Sequence, residues 1–190
     1  KLRNRLQYVF QDCERAMAWE TGEVGRVLKL PVATMGRFSE PTGFGERIAE
    51  IVAELKLDGQ LNKDVAHLSG GQLRRAYIAR SLVALLAELS LERPAVLVLD
   101  EATVGLDLET QYALLEFLRR YSNEVHPYFS IIAISHDPFI LRYLCKRILV
   151  LHTDAADDVG ATIVDEVISE EIGNSKYHHD HTEMLMKDLS

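Results

Sequence analysis

Cysteine and long apolar runs are both scarce in this sequence. Two cysteines, Cys13 and Cys145, occur among 190 residues, and they lack the spacing of metal-ligand motifs. We therefore expect thiols in a reducing compartment rather than a disulfide framework. No apolar run reaches the roughly 18 residues needed to cross a bilayer, since Glu88 interrupts the closest candidate at residues 82–91. The first residues do not resemble a secretory signal.

Positive charge is also in deficit. Lysine and arginine total 21 against 29 aspartate and glutamate residues, which gives a formal net charge of −8. This balance argues against a nucleic-acid-binding surface dominated by charge, although it leaves room for a local basic patch. Hydrophobic residues make up 47% of the chain, as is typical of a globular core. The length supports one domain, with or without an appendage.

The patterns that are present alternate between strand and helix. Strands are predicted at 6–10, 95–99, 129–134, 147–151 and 161–164. Helices are predicted at 44–57, from the N-cap Ser69 to about Leu89, after the N-cap Asp107, and at 137–145. This alternation predicts an α/β domain with a mainly parallel sheet, in which the apolar strands 95–99 and 129–134 are buried.

Three further expectations concern how individual segments pack. Residues 11–43, which hold several glycines and Pro31, are expected to be irregular. The helix after Asp107 is expected to bury one apolar face, formed by Leu108, Tyr112, Leu115 and Leu118. Residues 169–190 are acidic and then carry His178-His179-Asp180-His181, which could bind a metal adventitiously. We interpret this segment as a solvated polar tail.

Asp100 and Glu101 end an apolar strand with two adjacent carboxylates. Active sites of open α/β sheets lie at the carboxyl ends of the strands. Strand alternation should point the two side chains in different directions, so one can hold Mg²⁺ through water while the other faces an attacking water. The alternative is an acidic strand end that faces solvent.

The segment Ser69-Gly70-Gly71 has the chemistry of an anion site. It offers a hydroxyl, two glycines that let the backbone approach a phosphate, and the positive end of the following helix. The alternative is a simple turn and helix cap.

Five short motifs occur in an order that resembles the ATP-binding cassette (ABC) ATPases. They are Val9-Phe10-Gln11-Asp12, Leu68-Ser69-Gly70-Gly71-Gln72, Val96-Leu97-Val98-Leu99-Asp100-Glu101, Val104-Gly105-Leu106-Asp107 and Ile134-Ser135-His136-Asp137. In that family the corresponding motifs are the Q-loop, the signature, Walker B, the D-loop and the switch histidine. The resemblance covers nearly all of residues 6–151. Each motif alone is weak, but the ordered set is specific.

The resemblance implies roles in ATP hydrolysis for four side chains. Asp100 would hold the magnesium ion, and Glu101 would be the general base. His136 would donate a hydrogen bond to the γ-phosphate and orient the water. Gln11 would reach both the metal and the attacking water. ATP and Mg²⁺ are therefore the implied substrate and metal.

The resemblance also implies a second cassette as partner. The signature residues Ser69, Gly70, Gly71 and Gln72 would close over the nucleotide that the partner cassette binds. Asp107 would cross the dimer interface, or cap its own helix, or do both. We expect three arginines to support the signature loop or to pair with carboxylates, without a catalytic role: Arg74, Arg75 and Arg80.

Three features depart from the family pattern. Glycine is nowhere followed by lysine, so the phosphate loop G-x-x-x-x-G-K-[ST], called Walker A, is missing from these residues. In the family it precedes the Q-loop, so we expect it before Lys1, and hydrolysis then needs that segment as well as the partner cassette. Residues 83–92 make a longer link than is usual. No proline closely follows Gln11, which weakens the inference to a transporter.

The sequence thus predicts a P-loop NTPase-like ABC cassette with a helical signature subdomain. We assign residues 1–168 to a partial ATPase domain, with the helical subdomain at about 11–90 and the core from Walker B to the switch histidine at about 94–165. The tail occupies 169–190.

Two functions are compatible with this interpretation. The first is an ATP-hydrolysing cassette that dimerises to power a membrane transporter, located in the cytoplasm and peripheral to the cytoplasmic face of the membrane. The alternative is a soluble ABC-type ATPase that acts on a protein or nucleoprotein complex in translation, repair or metalloenzyme activation. A non-enzymatic binding module is disfavoured because Glu101 and His136 are both intact.

Overall fold

A computed structural model describes residues 5–17, 19–34, 43–89, 94–122, 128–153, 160–172, 177 and 179–186. The chain forms two compact units, Lys1–Ile134 and Ser135–Ser190. Among the described helices, none combines the length and the apolar character that a membrane crossing requires.

The described part of the first unit contains a three-stranded parallel sheet. It comprises β1 (Leu6–Val9), β2 (Ala95–Asp100) and β3 (Phe129–Ile134), in that order across the sheet. β2 is the central strand, and it pairs Leu99 with Val9 on one side and Asp100 with Ile134 on the other. The carboxyl ends of all three strands therefore meet at one edge of the sheet. The predicted parallel arrangement is confirmed.

The strand β3 differs from the prediction in its burial. Phe129 is buried, but Ile132 and Ile134 are each about half exposed, at 53% and 49%. Successive side chains of a strand point to opposite faces, and Ile132 and Ile134 lie on the same face. In the described structure β3 is therefore buried on one side rather than on both.

The described part of this unit contains five α-helices. They are α1 (Cys13–Met17), α2 (Val24–Thr34), α3 (Phe44–Glu54), α4 (Gly70–Leu89) and α5 (Leu108–Arg120), with short 3₁₀ helices at Asp58–Gln60 and Val65–His67. α4 packs against β1, β2, α1, α2 and α3. Residues 81–87 of α4 are all buried, as expected of a helix enclosed by protein on every side. The predicted limits of α4, from the N-cap Ser69 to Leu89, are confirmed, and residues 90–93 of the long link lie outside the described residues.

Residues 11–43 are more helical than predicted. The structure forms α1 and α2 there, although residues 35–42 lie outside the described part. Val24, Val27, Leu28 and Val32 of α2 are buried, and they recur at helical spacing. Pro31 lies inside α2. Proline removes one helical hydrogen bond and usually ends a helix. Its presence therefore argued against a helix, although the buried side chains of α2 recur at helical spacing.

The predicted apolar face of α5 is half wrong. Leu115 and Leu118 are buried, but Leu108 and Tyr112 are 83% and 56% exposed. The buried side chains of α5 are Thr110, Leu114, Leu115, Phe117 and Leu118. Thr110 can be buried because its hydroxyl donates a hydrogen bond to Asp107. The buried stripe therefore contains a polar residue that a hydrophobic pattern does not show.

The second unit is built on an antiparallel strand pair. It contains α6 (Pro138–Leu144), β4 (Arg147–His152), β5 (Thr162–Ile168), a 3₁₀ helix at Ser169–Glu171 and α7 (Asp180–Met186). β4 and β5 pair antiparallel. The core of this unit consists of Ile148, Val150, Val167, Ile172 and Met186.

The prediction of a solvated tail from residue 169 is therefore wrong for the described part of that segment. Ile172 and Met186 are 4% and 3% exposed, and Thr182 of α7 is buried as well. A few apolar side chains suffice to anchor the segment on the strand pair, although its overall composition is polar.

Candidate functional site

A cavity of about 570 Å³ opens at the carboxyl edge of the parallel sheet. It is lined by Phe10, Gln11, Asp12, Cys13, Gly70, Gly71, Arg74, Asp100, Val104 and Gly105. These residues come from the segment after β1, the first turn of α4, the last residue of β2 and the loop after it. Four of the predicted site residues, Gln11, Gly70, Gly71 and Asp100, thus surround one space.

Asp100 is held at the end of β2 by a neighbouring phenol. Tyr8 Oη donates a hydrogen bond of 2.8 Å to Asp100 Oδ2. This hydrogen bond to the carboxylate raises the pKa of Tyr8, and burial acts in the same direction. The sequence did not suggest Tyr8, because the contact depends on the register that places Tyr8 beside Val98, two residues before Asp100.

The cavity wall also has the donor chemistry that a magnesium ion requires. Mg²⁺ prefers oxygen ligands and usually keeps several waters. The carboxylate of Asp100 and the side-chain amide of Gln11 both belong to residues that line the cavity. These two residues therefore fit a hydrated magnesium ion.

Glu101 occupies a left-handed backbone conformation, with φ of 48°. Few residues other than glycine adopt it, because the Cβ atom approaches the following carbonyl. Hydrogen bonds hold this residue in the turn: Glu101 N–H donates to Ile134 O at 3.0 Å, and Glu101 O accepts from Val104 N at 3.2 Å and from Arg74 Nη1 at 3.3 Å. The sequence interpretation assumed that strand alternation sets the direction of the Glu101 side chain. In the structure, this turn sets it instead.

The first turn of α4 is closed by a reciprocal pair of hydrogen bonds. Ser69 N–H donates to Gln72 Oε1 at 3.1 Å, and Gln72 N–H donates to Ser69 Oγ at 3.4 Å. This is the capping box pattern, which satisfies two amide groups at a helix start. The predicted N-cap role of Ser69 is confirmed. Gly70 and Gly71 follow within the cavity wall, beside the positive end of the helix.

Asp107 is the N-cap of α5. Its carboxylate accepts hydrogen bonds from Thr110 N at 2.9 Å and from Thr110 Oγ1 at 2.7 Å. The bonds from the backbone amide and then from the hydroxyl hold the pKa of Asp107 below its usual value. Arg75 lies 4.0 Å from the same carboxylate. The capping alternative for Asp107 is confirmed, and its role between cassettes stays a prediction.

Three hydrogen-bond donors on α4, three residues apart, tie this helix to residues 8–20. Arg74 Nη2 donates to Gln11 O at 2.9 Å, and Tyr77 Oη donates to Tyr8 O at 2.8 Å. Arg80 forms an ion pair of 2.8 Å with Glu20. We call Arg74, Tyr77 and Arg80 the donor row. Of the two roles expected of the arginines, Arg80 shows the pairing with a carboxylate, whereas Arg74 holds the segment of Gln11 and not the signature loop.

His136 belongs to the second unit, between the end of β3 and the start of α6. The next residue, Asp137, caps α6 by accepting a hydrogen bond of 2.9 Å from Phe139 N–H. Asp137 N–H in turn donates to Ser135 Oγ at 3.1 Å. These contacts order the turn that carries His136, and the switch role of His136 stays a prediction.

The histidine-rich segment is described only in part, since His178 lies outside the described residues. The rings of His179 and His152 lie 5.1 Å apart between centroids. Within the described residues, no group of three or more histidine, cysteine, aspartate or glutamate side chains could hold a metal ion.

Comparison with known sequences gives one family. A family model described as ABC transporter matches residues 1–104. The methionine import ATP-binding protein MetN of Xylella fastidiosa is 31% identical over 84% of the chain and 43% of its own length. MetN 2 of Listeria monocytogenes is 30% identical over 84% of the chain and 43% of its own length. The chain thus spans less than half the length of these curated relatives.

Comparison with solved structures gives the same fold at lower identity. A structure of the RNase-L Inhibitor superposes with a TM-score of 0.65 and 24% identity, covering 88% of this chain and 28% of that one. A structure of cbiO1 from Clostridium perfringens, part of the ABC transporter complex cbiONQ, superposes with a TM-score of 0.59 and 22% identity, covering 90% of this chain and 60% of that one. The predicted fold class, a P-loop NTPase-like α/β fold, is confirmed. Because the family model covers more than half of the chain and the sequence relatives align with most of it, the chain belongs to the ABC transporter family.

Proposed function

We propose that this chain is the part of an ATP-binding cassette that carries the signature and Walker B, and that the cassette hydrolyses ATP to drive a membrane transporter. The observation that carries this proposal is the single cavity that brings together Gln11, Gly70, Gly71 and Asp100. The family membership supports it, and so do the relatives described as methionine import ATP-binding proteins.

In this function, Asp100 and Gln11 would hold the magnesium ion that accompanies ATP. The ion would supply charge neutralisation at the phosphates. Glu101 would accept a proton from the attacking water, and His136 would donate a hydrogen bond to the γ-phosphate. The ordered turns around Glu101 and His136 support these roles, because a base must be held in place to act.

A second cassette would complete the site. The exposed start of α4, at Ser69 and Gly70, would face the nucleotide of the partner, and Gln72 and Asp107 would lie near the same interface. A helix start of this kind favours an anion through its backbone amides. The membrane subunits of the transporter would be the further partners, and the cassette would then lie on the cytoplasmic face of a membrane.

A soluble ABC-type ATPase acting on a protein or nucleoprotein complex is the second candidate. The observation that favours it is Trp19, which is 91% exposed between α1 and α2. An exposed tryptophan is common at sites that bind other macromolecules. The two candidates differ in what stimulates hydrolysis, which is membrane subunits in one case and a soluble complex in the other.

The proposed function predicts the effect of Glu101→Gln in the intact protein. Without a base, kcat should fall by about two to four orders of magnitude, while ATP still binds and becomes trapped. Steady-state hydrolysis and retention of labelled nucleotide would measure the two effects.

Glu109→Gln is the matched control, because the Glu109 side chain is 82% exposed on α5 and pairs with Lys56. It should hydrolyse ATP at the wild-type rate. Hydrolysis by the Glu101→Gln variant at the rate of this control would remove Glu101 from the role of base.

A further inference from the structure

The guanidinium of Arg74 joins two loops that are far apart in the sequence. Arg74 Nη2 donates to Gln11 O at 2.9 Å, across 63 residues, and Nη1 donates to Glu101 O at 3.3 Å, across 27 residues. The side chain is half-buried in the wall of the cavity. One charged group thus contacts the two segments that carry Gln11 and Glu101, two of the predicted hydrolytic side chains.

The chemistry of arginine explains how one side chain makes both contacts. Its guanidinium is a rigid plane with five donors, so two of its nitrogens can each bind a different carbonyl. A lysine ammonium carries its donors on a single atom. The geometry between Gln11 and Glu101 is therefore specific to arginine and is not provided by positive charge alone.

The contact at Glu101 falls on a strained residue. The left-handed conformation of Glu101 persists only when its surroundings hold it there. Arg74 Nη1 shares the Glu101 carbonyl with Val104 N–H. Loss of Arg74 would remove one of these two donors and allow the turn to relax.

The donor row distinguishes Arg74 from its neighbours on α4. Tyr77 and Arg80 tie α4 to residues 8–20 by contacts at Tyr8 and Glu20. Arg74 also connects α4 to the turn after β2, through its hydrogen bond to Glu101 O. Packing of α4 against residues 8–20 can therefore survive without Arg74, whereas the link to Glu101 cannot.

We propose that Arg74 is a positioning residue for ATP hydrolysis, which fixes the loop of Gln11 and the turn of Glu101 in one relative geometry. This inference rests on the function proposed above. Arg74 acts through the backbone carbonyls of both segments and does not itself touch the reacting atoms. It sets how far the amide of Gln11 and the carboxylate of Glu101 are from the same water.

The first test compares Arg74→Ala, Arg74→Lys and the control Arg119→Ala in the intact protein. Arg119 is a half-exposed residue of α5 that pairs with Glu116. Arg74→Ala should lower kcat about ten- to one-hundredfold, while the Kd for ATP stays within about twofold of wild type. Arg74→Lys should recover only a small part of the loss. Added guanidinium ion at millimolar concentration should raise the kcat of Arg74→Ala and leave the kcat of Arg119→Ala unchanged.

A second test is independent of turnover. Hydrogen exchange in the absence of nucleotide should be faster in Arg74→Ala at the amides of Glu101 and Val104, and unchanged there in Arg119→Ala. Faster exchange at these two amides reports the loss of a contact in the turn itself.

The outcomes separate this inference from the proposed function. A wild-type kcat in Arg74→Ala, in an active protein, overturns the positioning role. A large rise in the Kd for ATP with unchanged kcat also overturns it, because it would mean that Arg74 binds phosphate directly. If the wild-type protein does not hydrolyse ATP, the proposed function fails, and with it the positioning role, whatever the exchange experiment shows about the turn.

Discussion

At the residue scale, the loop after β2 depends on two left-handed backbone positions. Glu101 has φ of 48° and Gly105 has φ of 79°. Between them the chain reverses, so that the loop lines the cavity with Val104 and Gly105 before α5 begins. Glycine adopts this conformation without steric cost, whereas Glu101 needs the contacts described above. The shape of the loop thus depends on glycine at position 105 and on the hydrogen bonds that hold Glu101.

Replacement of Gly105 by alanine should lower the free energy of unfolding by about 1 kcal/mol, the usual cost of a left-handed non-glycine residue. A Cβ atom at this position would meet no atom within 4 Å, so the cost comes from the backbone alone. Chemical denaturation of the intact protein measures it.

Gly45→Ala is the matched comparison, since a Cβ atom there also meets no atom within 4 Å, but Gly45 lies in α3 without a positive φ. It should raise the free energy of unfolding by about 0.5 kcal/mol, because alanine reduces the entropy of the unfolded chain. Equal effects of the two substitutions would contradict the backbone explanation.

The sequence predicted the residues of the cavity better than their contacts. Gln11 was placed with Asp100 by the resemblance to ABC cassettes, and the parallel strands that precede the two residues end at the same edge of the sheet. Tyr8 and Arg74 were beyond reach, because their partners depend on strand register and on side-chain rotamers. The order of the motifs indicates which residues lie near the cavity, but the contacts between side chains are visible only in the three-dimensional structure.

At the element scale, the sequence located the start of α4 correctly. The residues Ser69 and Gln72 stand at the spacing of a capping box, which is a local pattern that does not depend on the rest of the fold. Local signals of this kind are readable from sequence.

Ser69→Ala should therefore lower the free energy of unfolding by about 1 kcal/mol, as is typical for loss of an N-cap. Gln72→Glu should retain most of the stability, because glutamate also serves as the third residue of a capping box. The measurement is chemical denaturation without nucleotide, which separates the cap from any role in hydrolysis. Wild-type stability in Ser69→Ala would show that the cap contributes nothing in this context.

The helices α2 and α5 show where element prediction failed. In α2 the buried residues Val27 and Leu28 follow a helical period that Pro31 and Gly25 obscured. In α5 the buried stripe includes Thr110, and the apolar Leu108 lies outside it. Both failures arise because the packing of neighbours, and not hydrophobicity alone, decides which side of a helix is enclosed.

At the scale of the whole molecule, the chain forms two compact units. The core of the second unit joins the strand pair to Ile172 and Met186, from the segment whose composition is acidic. Hydrophobic averages over that segment are low, and so the sequence predicted a solvated tail. A few apolar side chains pack this segment against the strand pair, although its average hydrophobicity is low.

Met186→Ala should destabilise the second unit by about 2–3 kcal/mol, since it deletes a buried side chain and leaves a cavity. Met184→Ala is the control on the same helix, because Met184 is 66% exposed whereas Met186 is 3% exposed. Hydrogen exchange of the amides of β4 and β5 measures the effect in this unit. Equal exchange rates in the two variants would show that α7 does not contribute to the core.

The capping box at the start of α4 has a consequence for any anion that reaches this end of the helix. In the described structure, the amide of Ser69 already donates to Gln72 Oε1 and the amide of Gln72 already donates to Ser69 Oγ. A phosphate oxygen that takes either group must first displace its present partner, so binding there is an exchange of ligands and not a simple addition. The helix start thus carries an internal competitor for each of these two amides, which lowers the affinity of these amides for a free anion.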